Sequence, residues 1–281
     1  MIMNRRSVML GAGGLAALAS QPFLAGLARA AQLRSIGLQL YTVRELFAAD
    51  PVATLETVAK IGYREVEYGG GGYDTMDHAL LRRTMDRLGL KSPSIHVGYD
   101  ALMDNFDASL TMARTLGADT IVLPYMVDKH RNGPAWDAAT ANINRIGEKL
   151  KAAGLGFAYH NHDFEFTVKP DGISLFDRLV KACNPAHVKI ELDLYWAIYA
   201  GQDPQALIRS LAGRVYAYHV KDMRADRSMT SVGAGTIDFA SIFKLNGLAG
   251  ARHFYVENDQ SPAPYLPDIT QSFRTLSALR F

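Results

Sequence analysis

Histidine and carboxylate side chains occur near the ends of four short apolar runs in the sequence. The runs read FAYHNH, VKIELDLYW, VYAYHVKD and HFYVEND, and the side chains concerned are His160, Asp193, His219 and Glu257. Imidazole and carboxylate groups together bind a divalent ion such as Mn, Co, Zn or Mg and leave open positions for substrate oxygens. The four residues therefore predict one divalent-metal site. A single one of them would more often be a structural residue or a helix cap, so the prediction requires that all four lie together.

Other residues near these runs have the types needed for proton transfer and substrate binding. Glu257 and His162 are candidates for the base that removes a proton, and Lys221 is a candidate for stabilising an oxyanion. The alternative for Lys221 is a structural ion pair with Asp222 or Glu191. The candidate substrate-binding residues are Gln39, Tyr41, Glu67, His96, Trp196 and Arg224.

Strands that alternate with helices must position these side chains. In four segments a helical stretch ends near a glycine and a β-branched or aromatic run follows: KIGYREVEY, RLGLKSPSIHV, TLGADTIVLPY and AAGLGFAYHNH. Glycine is favoured just beyond a helix end because it adopts positive φ without a Cβ clash. This alternation indicates parallel βαβ units.

The whole pattern predicts a single (β/α)8 barrel of the α/β class over residues 33–281. Strands are predicted at 36–43, 65–68, 94–97, 120–125, 157–162, 188–194, 215–221 and 254–258. Helices are predicted at 51–61, 77–88, 106–116, 136–153, 175–182, 204–211, 239–245 and 268–279. Barrel active sites lie at the carboxyl ends of the strands, where the polar residues fall. The alternative, an open doubly wound sheet, usually has fewer strands, and no G-x-G-x-x-G turn follows the first strand.

The first 30 residues predict a targeting segment. Residues 4–10 read NRRSVML, a Gly- and Ala-rich apolar run extends over 8–27, and ARA follows at 28–30. A charged start, an apolar middle and an A-x-A end are the parts of a secretory signal, and the arginine pair favours the twin-arginine route. The alternative is a retained transmembrane anchor, since the run is about long enough to span a bilayer. We expect cleavage after Ala30 and a periplasmic protein.

The composition excludes several classes of protein. The formal net charge is only +2, and no Lys/Arg block of the kind that binds phosphates is present, which argues against a nucleic-acid partner. Cys183 is the single cysteine, so an intrachain disulfide and a cysteine-rich metal site are excluded.

The sequence resembles the sugar phosphate isomerase/epimerase superfamily with the xylose isomerase-like barrel, over nearly all of residues 33–281. The resemblance rests on IGLQLYTVR, EVEYGG, YHNHDFEF, ELDLYW, HVKDMR, VGAGTIDF and VENDQ. Such proteins typically hold one divalent metal with Glu, Asp, His and Glu on the last four strands. This implies Asp193, His219 and Glu257 as ligands in the present chain.

The fifth strand departs from the pattern of that superfamily. His160 stands at the position of the strand-5 Glu, in a YHxH strand similar to that of inosose dehydratases. His160 is therefore the expected fourth ligand, and Glu165, just beyond the strand, is a competing candidate. Trp196 stands where epimerases of this kind often carry a substrate-binding His.

The resemblance implies removal of a proton next to a sugar carbonyl, with the metal as a Lewis acid. Return of the proton would give isomerisation or epimerisation, and loss of a substituent from the adjacent carbon would give dehydration or lyase cleavage. Predicted export, the dehydratase-like fifth strand and the lack of an Arg cluster with a Gly-rich loop after strand 7 or 8 favour elimination from a non-phosphorylated sugar. Exported relatives include lyases acting on 3-keto-glycosides, which are the preferred substrate class.

Two functions from other classes are alternatives. One is a periplasmic sugar-binding protein without catalysis. The other is a metal-dependent hydrolase or nuclease resembling endonuclease IV relatives, which hold several metals and need more ligands and a basic DNA-binding face. The expected partner is a small sugar, with no nucleic acid and, after signal cleavage, no membrane. A homo-oligomer is compatible with the sequence.

The targeting segment generates the first testable prediction. After expression in a bacterium with a twin-arginine system, we expect periplasmic protein whose amino terminus, measured by mass spectrometry, is Ala31. Replacing both arginines of the pair, Arg5→Lys with Arg6→Lys, should leave the protein in the cytoplasm. Intact precursor in the cytoplasm of cells expressing the unaltered chain would contradict the prediction.

Overall fold

Eight parallel strands form the centre of the fold. The computed structural model describes residues 31–281, so the predicted targeting segment lies outside the described residues. The strands are β1 (Gly37–Gln39), β2 (Glu65–Glu67), β3 (Ser94–His96), β4 (Thr120–Leu123), β5 (Gly156–His160), β6 (Lys189–Asp193), β7 (Val215–Val220) and β8 (His253–Val256). Their order in the sheet is β2-β1-β8-β7-β6-β5-β4-β3.

The sheet curves until β2 meets β3, which makes a nearly closed barrel. At this seam Val66 N donates to Lys91 O at 2.8 Å, and His96 N donates to Tyr68 O at 2.8 Å. The remaining neighbours are joined by parallel pairing in regular or locally bulged register. The predicted (β/α)8 barrel is confirmed, and the alternative of an open doubly wound sheet is wrong.

Helices connect successive strands on the outside of the barrel. The main helices are Pro51–Ile61, His78–Leu88, Phe106–Leu116, Gly133–Ala152, Leu175–Ala182, Pro204–Ser210, Phe239–Phe243 and Leu266–Ala278. Shorter helices are Arg44–Ala49, Tyr99–Asp104, Phe164–Thr167, Leu194–Tyr199 and Asn246–Ala249. Asp50 and Asp203 cap two main helices by accepting from backbone N–H groups at 2.9 Å, and a proline follows each of them. None of the helices described over 31–281 is long and apolar enough to cross a bilayer.

The hydrophobic core lies between the barrel and its helices. Trp136 is the largest fully buried side chain of this part of the chain, and its indole N–H donates to Leu175 O at 2.9 Å. Its ring meets Tyr159 edge to face, with centroids 6.1 Å apart. The Trp136 side chain therefore contacts both the next helix and β5, the strand that carries His160.

All eight strands end one or more residues earlier than predicted, and two of these early ends have a clear local cause. β1 ends at Gln39 because the Gln39 side chain accepts from Tyr41 N at 3.1 Å and caps a short 3-10 helix. β5 ends at His160, since the next residues turn into a short helix in which the Glu165 carboxylate accepts from His162 N at 2.8 Å. Tyr41 consequently lies in the 3-10 helix Leu40–Val43 and His162 in the segment after β5, so neither is within a strand.

A single carboxylate organises the long loop after β7. Asp222 is buried and accepts from the backbone N–H groups of Met223, Gly233, Gly235 and Ile237 at 2.8 to 3.2 Å. A Cβ on Gly235 would lie 2.2 Å from Asp222 Oδ1, so only glycine allows this approach. The G-x-G-x-I-D-F run of the sequence is thus a loop wrapped around Asp222.

Replacing this carboxylate tests its contribution to stability. We expect Asp222→Ala to lower the free energy of unfolding, measured by urea denaturation, by about 2–4 kcal/mol, because several buried N–H groups lose their acceptor. Asp104→Ala serves as a control at an exposed helix end, with an expected change within about 0.5 kcal/mol. Equal stability of the two variants would refute the structural role of Asp222.

Candidate metal and substrate site

Four buried side chains converge at the carboxyl ends of the last four strands. His160 and Asp193 end β5 and β6, His219 lies near the end of β7, and Glu257 follows β8 directly. His219 Nδ1 lies 2.6 Å from Glu257 Oε2, and His160 Nε2 lies 3.8 Å from Asp193 Oδ2. The side chains expected to bind the metal are therefore near one another and shielded from water.

The possible donor atoms form two overlapping groups with His219 in both. Within each group, one donor atom per residue lies within 4.8 Å of all the others. One group contains three of the predicted ligands, and the fourth belongs to the other group. The groups are Asp193, His219 and Glu257, and His96, His160, Glu191 and His219.

The chemistry of these groups fits a divalent cation. Each combines imidazole nitrogens with carboxylate oxygens, a mixed donor set that suits Mn, Co, Zn or Mg. Moreover, His160 Nδ1 and Glu191 Oε1 are buried and have no hydrogen-bond partner among the described residues. Buried polar atoms normally have partners, so atoms left without one indicate a place suited to a bound group.

Glu165, the competitor of His160, is kept out of both groups. Its Oε1 accepts from Tyr159 OH at 2.6 Å and its Oε2 accepts from His162 N at 2.8 Å. Burial raises the pKa of Glu165 to about 8, although both hydrogen bonds act in the opposite direction. Glu165 thus stabilises the turn after β5, while His160 at the strand end faces the ligand cluster.

Lys221 is buried among three carboxylates. Its Nζ lies 2.8 Å from Glu257 Oε2, 2.9 Å from Asp259 Oδ1 and 3.0 Å from Asp193 Oδ2. Burial disfavours the ammonium, but the three carboxylates hold the pKa of Lys221 well above its usual value. The same contacts act on Glu257, whose pKa is held well below its usual range by Lys221 and His219 despite burial.

The alternative partners predicted for Lys221 are wrong. Asp222 faces the loop after β7, as described above, and Glu191 faces His219, with Oε2 3.1 Å from Nε2. Sequence reasoning missed Asp259 entirely and missed Glu191 as part of the cluster. Glu191 stands two residues before Asp193 in β6, and this spacing places both side chains on the same side of the strand, which is the signal that could have found Glu191. Asp259 lies in the turn after β8, where no strand spacing applies.

His162 has the protonation state needed to accept a proton. Burial and the ammonium of Lys221 lower the pKa of His162 to about 3, so its imidazole is neutral near pH 7. Its Nδ1 has no hydrogen-bond partner among residues 31–281. The ring lines the central cavity, with its centroid 5.7 Å from that of Trp196 and 5.1 Å from that of Tyr125.

A second layer of polar side chains lies below the ligands. Glu67 is fully buried and accepts from Gln39 Nε2 at 2.9 Å, and its Oε2 lies 2.8 Å from His219 Nε2. His96 Nε2 lies 2.9 Å from Glu191 Oε2 and 3.0 Å from Glu67 Oε2. Gln39 and Glu67, predicted to bind substrate, are thus placed beneath the cavity and not in its lining.

A cavity of about 440 Å³ opens above the ligands, a volume within the range of small-ligand sites. Its floor carries polar and charged groups, including Lys221 and Glu257, and its walls include the aromatic side chains of Tyr41, Tyr125 and Trp196. Gly70, in the glycine-rich loop after β2, adopts φ +73°, and a Cβ there would lie 2.6 Å from the Tyr41 ring. The absence of a Cβ at Gly70 therefore makes room for the Tyr41 ring in the cavity wall. Of the predicted substrate-binding residues, Tyr41, His96 and Trp196 line the cavity.

Arg224 is the predicted substrate-binding residue that the structure turns away from the cavity. The chain after β7 forms a two-stranded hairpin, Asp222–Met223 with Met229–Thr230. Within it the Arg224 guanidinium is exposed and donates to Met229 O at 2.7 Å and to Ser228 Oγ at 3.3 Å. The hairpin thus holds Arg224 away from the cavity lining, and its role in substrate binding stays a prediction.

The family model for the xylose isomerase-like TIM barrel matches residues 55–261. The chain belongs to the xylose isomerase-like TIM barrel family. A sugar phosphate isomerase/epimerase from Parabacteroides distasonis has a similar structure, with a TM-score of 0.73 and 26% identity over 86% of this chain and 93% of that chain. The resemblance inferred from the sequence motifs is therefore confirmed.

Relatives of this xylose isomerase-like barrel include dehydratases. An inosose dehydratase from Clostridium beijerinckii is 28% identical over 153 residues, 47% of this chain and 50% of that protein. The present chain thus spans about half the length of that dehydratase. The rhizopine catabolism protein MocC from Rhizobium meliloti is 26% identical over 247 residues, 74% of each chain. At the level of the family, the chain groups with sugar-processing enzymes.

Proposed function

We propose that this barrel is a divalent-metal-dependent enzyme that removes a proton next to the carbonyl of a non-phosphorylated sugar and eliminates a substituent from the adjacent carbon. The main support for the proposal is the composition of the cavity floor. Imidazole and carboxylate donors lie there beside the buried ammonium of Lys221 and the neutral imidazole of His162. These are the groups that carbonyl activation and proton abstraction require.

The metal would be held by Asp193, His219 and Glu257, with His160 as the fourth ligand. When bound, it supplies Lewis-acid polarisation of the substrate carbonyl and a neighbouring hydroxyl. The fit depends on the short distances among these donors and on their burial.

His162 is the base in this mechanism. Its neutral ring lines the cavity and has a nitrogen without a hydrogen-bond partner among residues 31–281, whereas the Glu257 carboxylate is already in contact with Lys221 and His219. Lys221 keeps its proton and places its ammonium at the cavity floor, where it stabilises negative charge that develops on the substrate oxygen.

The aromatic walls select a sugar ring. Tyr41, Tyr125 and Trp196 present ring faces and edges to the cavity, an arrangement that packs against the C–H faces of a pyranose.

Similarity to an inosose dehydratase supports elimination, and 3-keto-glycosides are the preferred substrate class. Similarity to a sugar phosphate isomerase/epimerase supports the second candidate, in which the proton returns and the sugar is isomerised or epimerised. We also propose that residues 1–30 direct the enzyme to the periplasm.

Metal dependence is the first prediction of the proposed function. We expect the purified protein to bind about one divalent ion per chain, measured by elemental mass spectrometry, and to lose activity when a chelator removes it. Asp193→Asn should abolish binding because it removes a ligand oxygen charge. Glu165→Gln is a matched control that should keep the metal, since Glu165 contacts Tyr159 and the backbone of His162 instead. Retention of metal by Asp193→Asn would exclude this ligand set.

The reaction itself is tested with a 3-keto-glucoside in deuterated water. We expect proton NMR to show loss of the carbon-2 proton together with release of the free aglycone. His162→Ala should slow this reaction by roughly 10²-fold or more, the usual contribution of a general base, while keeping the bound metal. Deuterium exchange without aglycone release would favour the isomerase candidate, and no exchange by metal-loaded protein would reject this substrate class.

A further inference from the structure

Two layers of carboxylates lie along β6. Glu191 and Asp193 are two residues apart, so their side chains project to the same side of the strand, with Glu191 deeper in the barrel. In the parallel register Glu191 stands opposite His160 of β5, and Asp193 stands opposite His219 of β7. Both carboxylates are fully buried.

The two imidazoles of the proposed metal site reach from one layer to the other. His219 turns Nδ1 outward to Glu257, at 2.6 Å, and Nε2 inward to Glu191 Oε2, at 3.1 Å. His160 turns Nε2 outward to Asp193, at 3.8 Å, and Nδ1 inward to the same Glu191 oxygen, at 3.3 Å. One carboxylate oxygen therefore faces the inner nitrogen of both rings.

We infer that Glu191 is a positioning residue that orients His160 and His219 together as metal ligands, an inference that rests on the proposed metal site. A histidine that binds a metal through one nitrogen carries its proton on the other nitrogen. A carboxylate that accepts this proton fixes the tautomer and the ring orientation and makes the ligand more basic. Glu191 Oε2 faces both nitrogens, at 3.3 Å from His160 Nδ1 and 3.1 Å from His219 Nε2. It also lies 2.9 Å from His96 Nε2, and His219 Nε2 lies 2.8 Å from Glu67 Oε2.

Glu67 does not duplicate this role. Among residues 31–281, its ion-pair contacts with histidines go to His96 and His219. His160 Nδ1 has no hydrogen-bond partner among residues 31–281, and Glu191, whose Oε2 lies 3.3 Å away, is the carboxylate that faces it. Loss of Glu191 thus removes the carboxylate that faces His160 Nδ1 and leaves His219 Nε2 with Glu67.

The test compares Co²⁺ binding by the metal-free protein and two isosteric variants. Glu191→Gln removes the shared carboxylate. Glu65→Gln is the matched control, because Glu65 also pairs with an imidazole, His253 Nδ1 at 2.9 Å, but at the opposite end of the barrel, where β2 and β8 begin. Affinity is measured by titration, and the visible absorption bands of bound Co²⁺ report ligand geometry independently of turnover.

We expect Glu191→Gln to bind Co²⁺ roughly 10–100-fold more weakly than the unaltered protein, with shifted absorption bands. Glu65→Gln should keep both the affinity and the bands, and Glu191→Asp, which retains the carboxylate, should recover part of the affinity. Glu191→Gln with unchanged affinity and bands would overturn the inference, even if its thermal stability fell. Failure of the unaltered protein to bind Co²⁺ would overturn the proposed metal-dependent function, and this inference with it.

Discussion

Buried carboxylates are the constraint on which the rest of this structure depends. Glu67, Glu191, Asp193 and Glu257 lie within one end of the barrel, none more than 5% exposed. A carboxylate without a partner is very unfavourable in such a place, so each must be matched by a cation or by proton donors. The imidazoles and the ammonium of Lys221 meet this requirement, and their own positions are fixed in turn by the strands that carry them. The polar mouth and the barrel geometry are therefore interdependent.

The two-residue repeat of a strand explains how so many charged groups fit in so small a space. Side chains two apart face the same way, which gives β6 an inner carboxylate at Glu191 and an outer one at Asp193. The outer layer, with Asp193, lies next to the cavity, and the inner layer, with Glu191, contacts the side chains of the outer layer from below. A change in the inner layer thus alters the cavity floor without touching a substrate.

Sequence alone predicted the eight strands and, through them, the convergence of His160, Asp193 and His219, because apolar runs followed by polar residues are local patterns. It did not predict which side chains pair, since the partners of Lys221 depend on how neighbouring strands are staggered. The direction of the Arg224 side chain could not be predicted for a similar reason: it is set by a hairpin of two-residue strands, too short to leave a pattern. The early end of β1 depends on a single side-chain cap by Gln39, which composition does not reveal.

Charge balance at the cavity floor connects the proposed metal with Lys221. Asp193, Glu257 and Asp259 together carry three negative charges when ionised, and the ammonium that contacts all of them supplies one positive charge. The remaining two charges equal those of a divalent cation, so Lys221 and the proposed metal ion together would balance these three carboxylates. With both present, the charges of these three carboxylates would be compensated. When a proton is removed next to a carbonyl, negative charge develops on the substrate oxygen. The neighbouring cations would stabilise this negative charge, which proton abstraction requires.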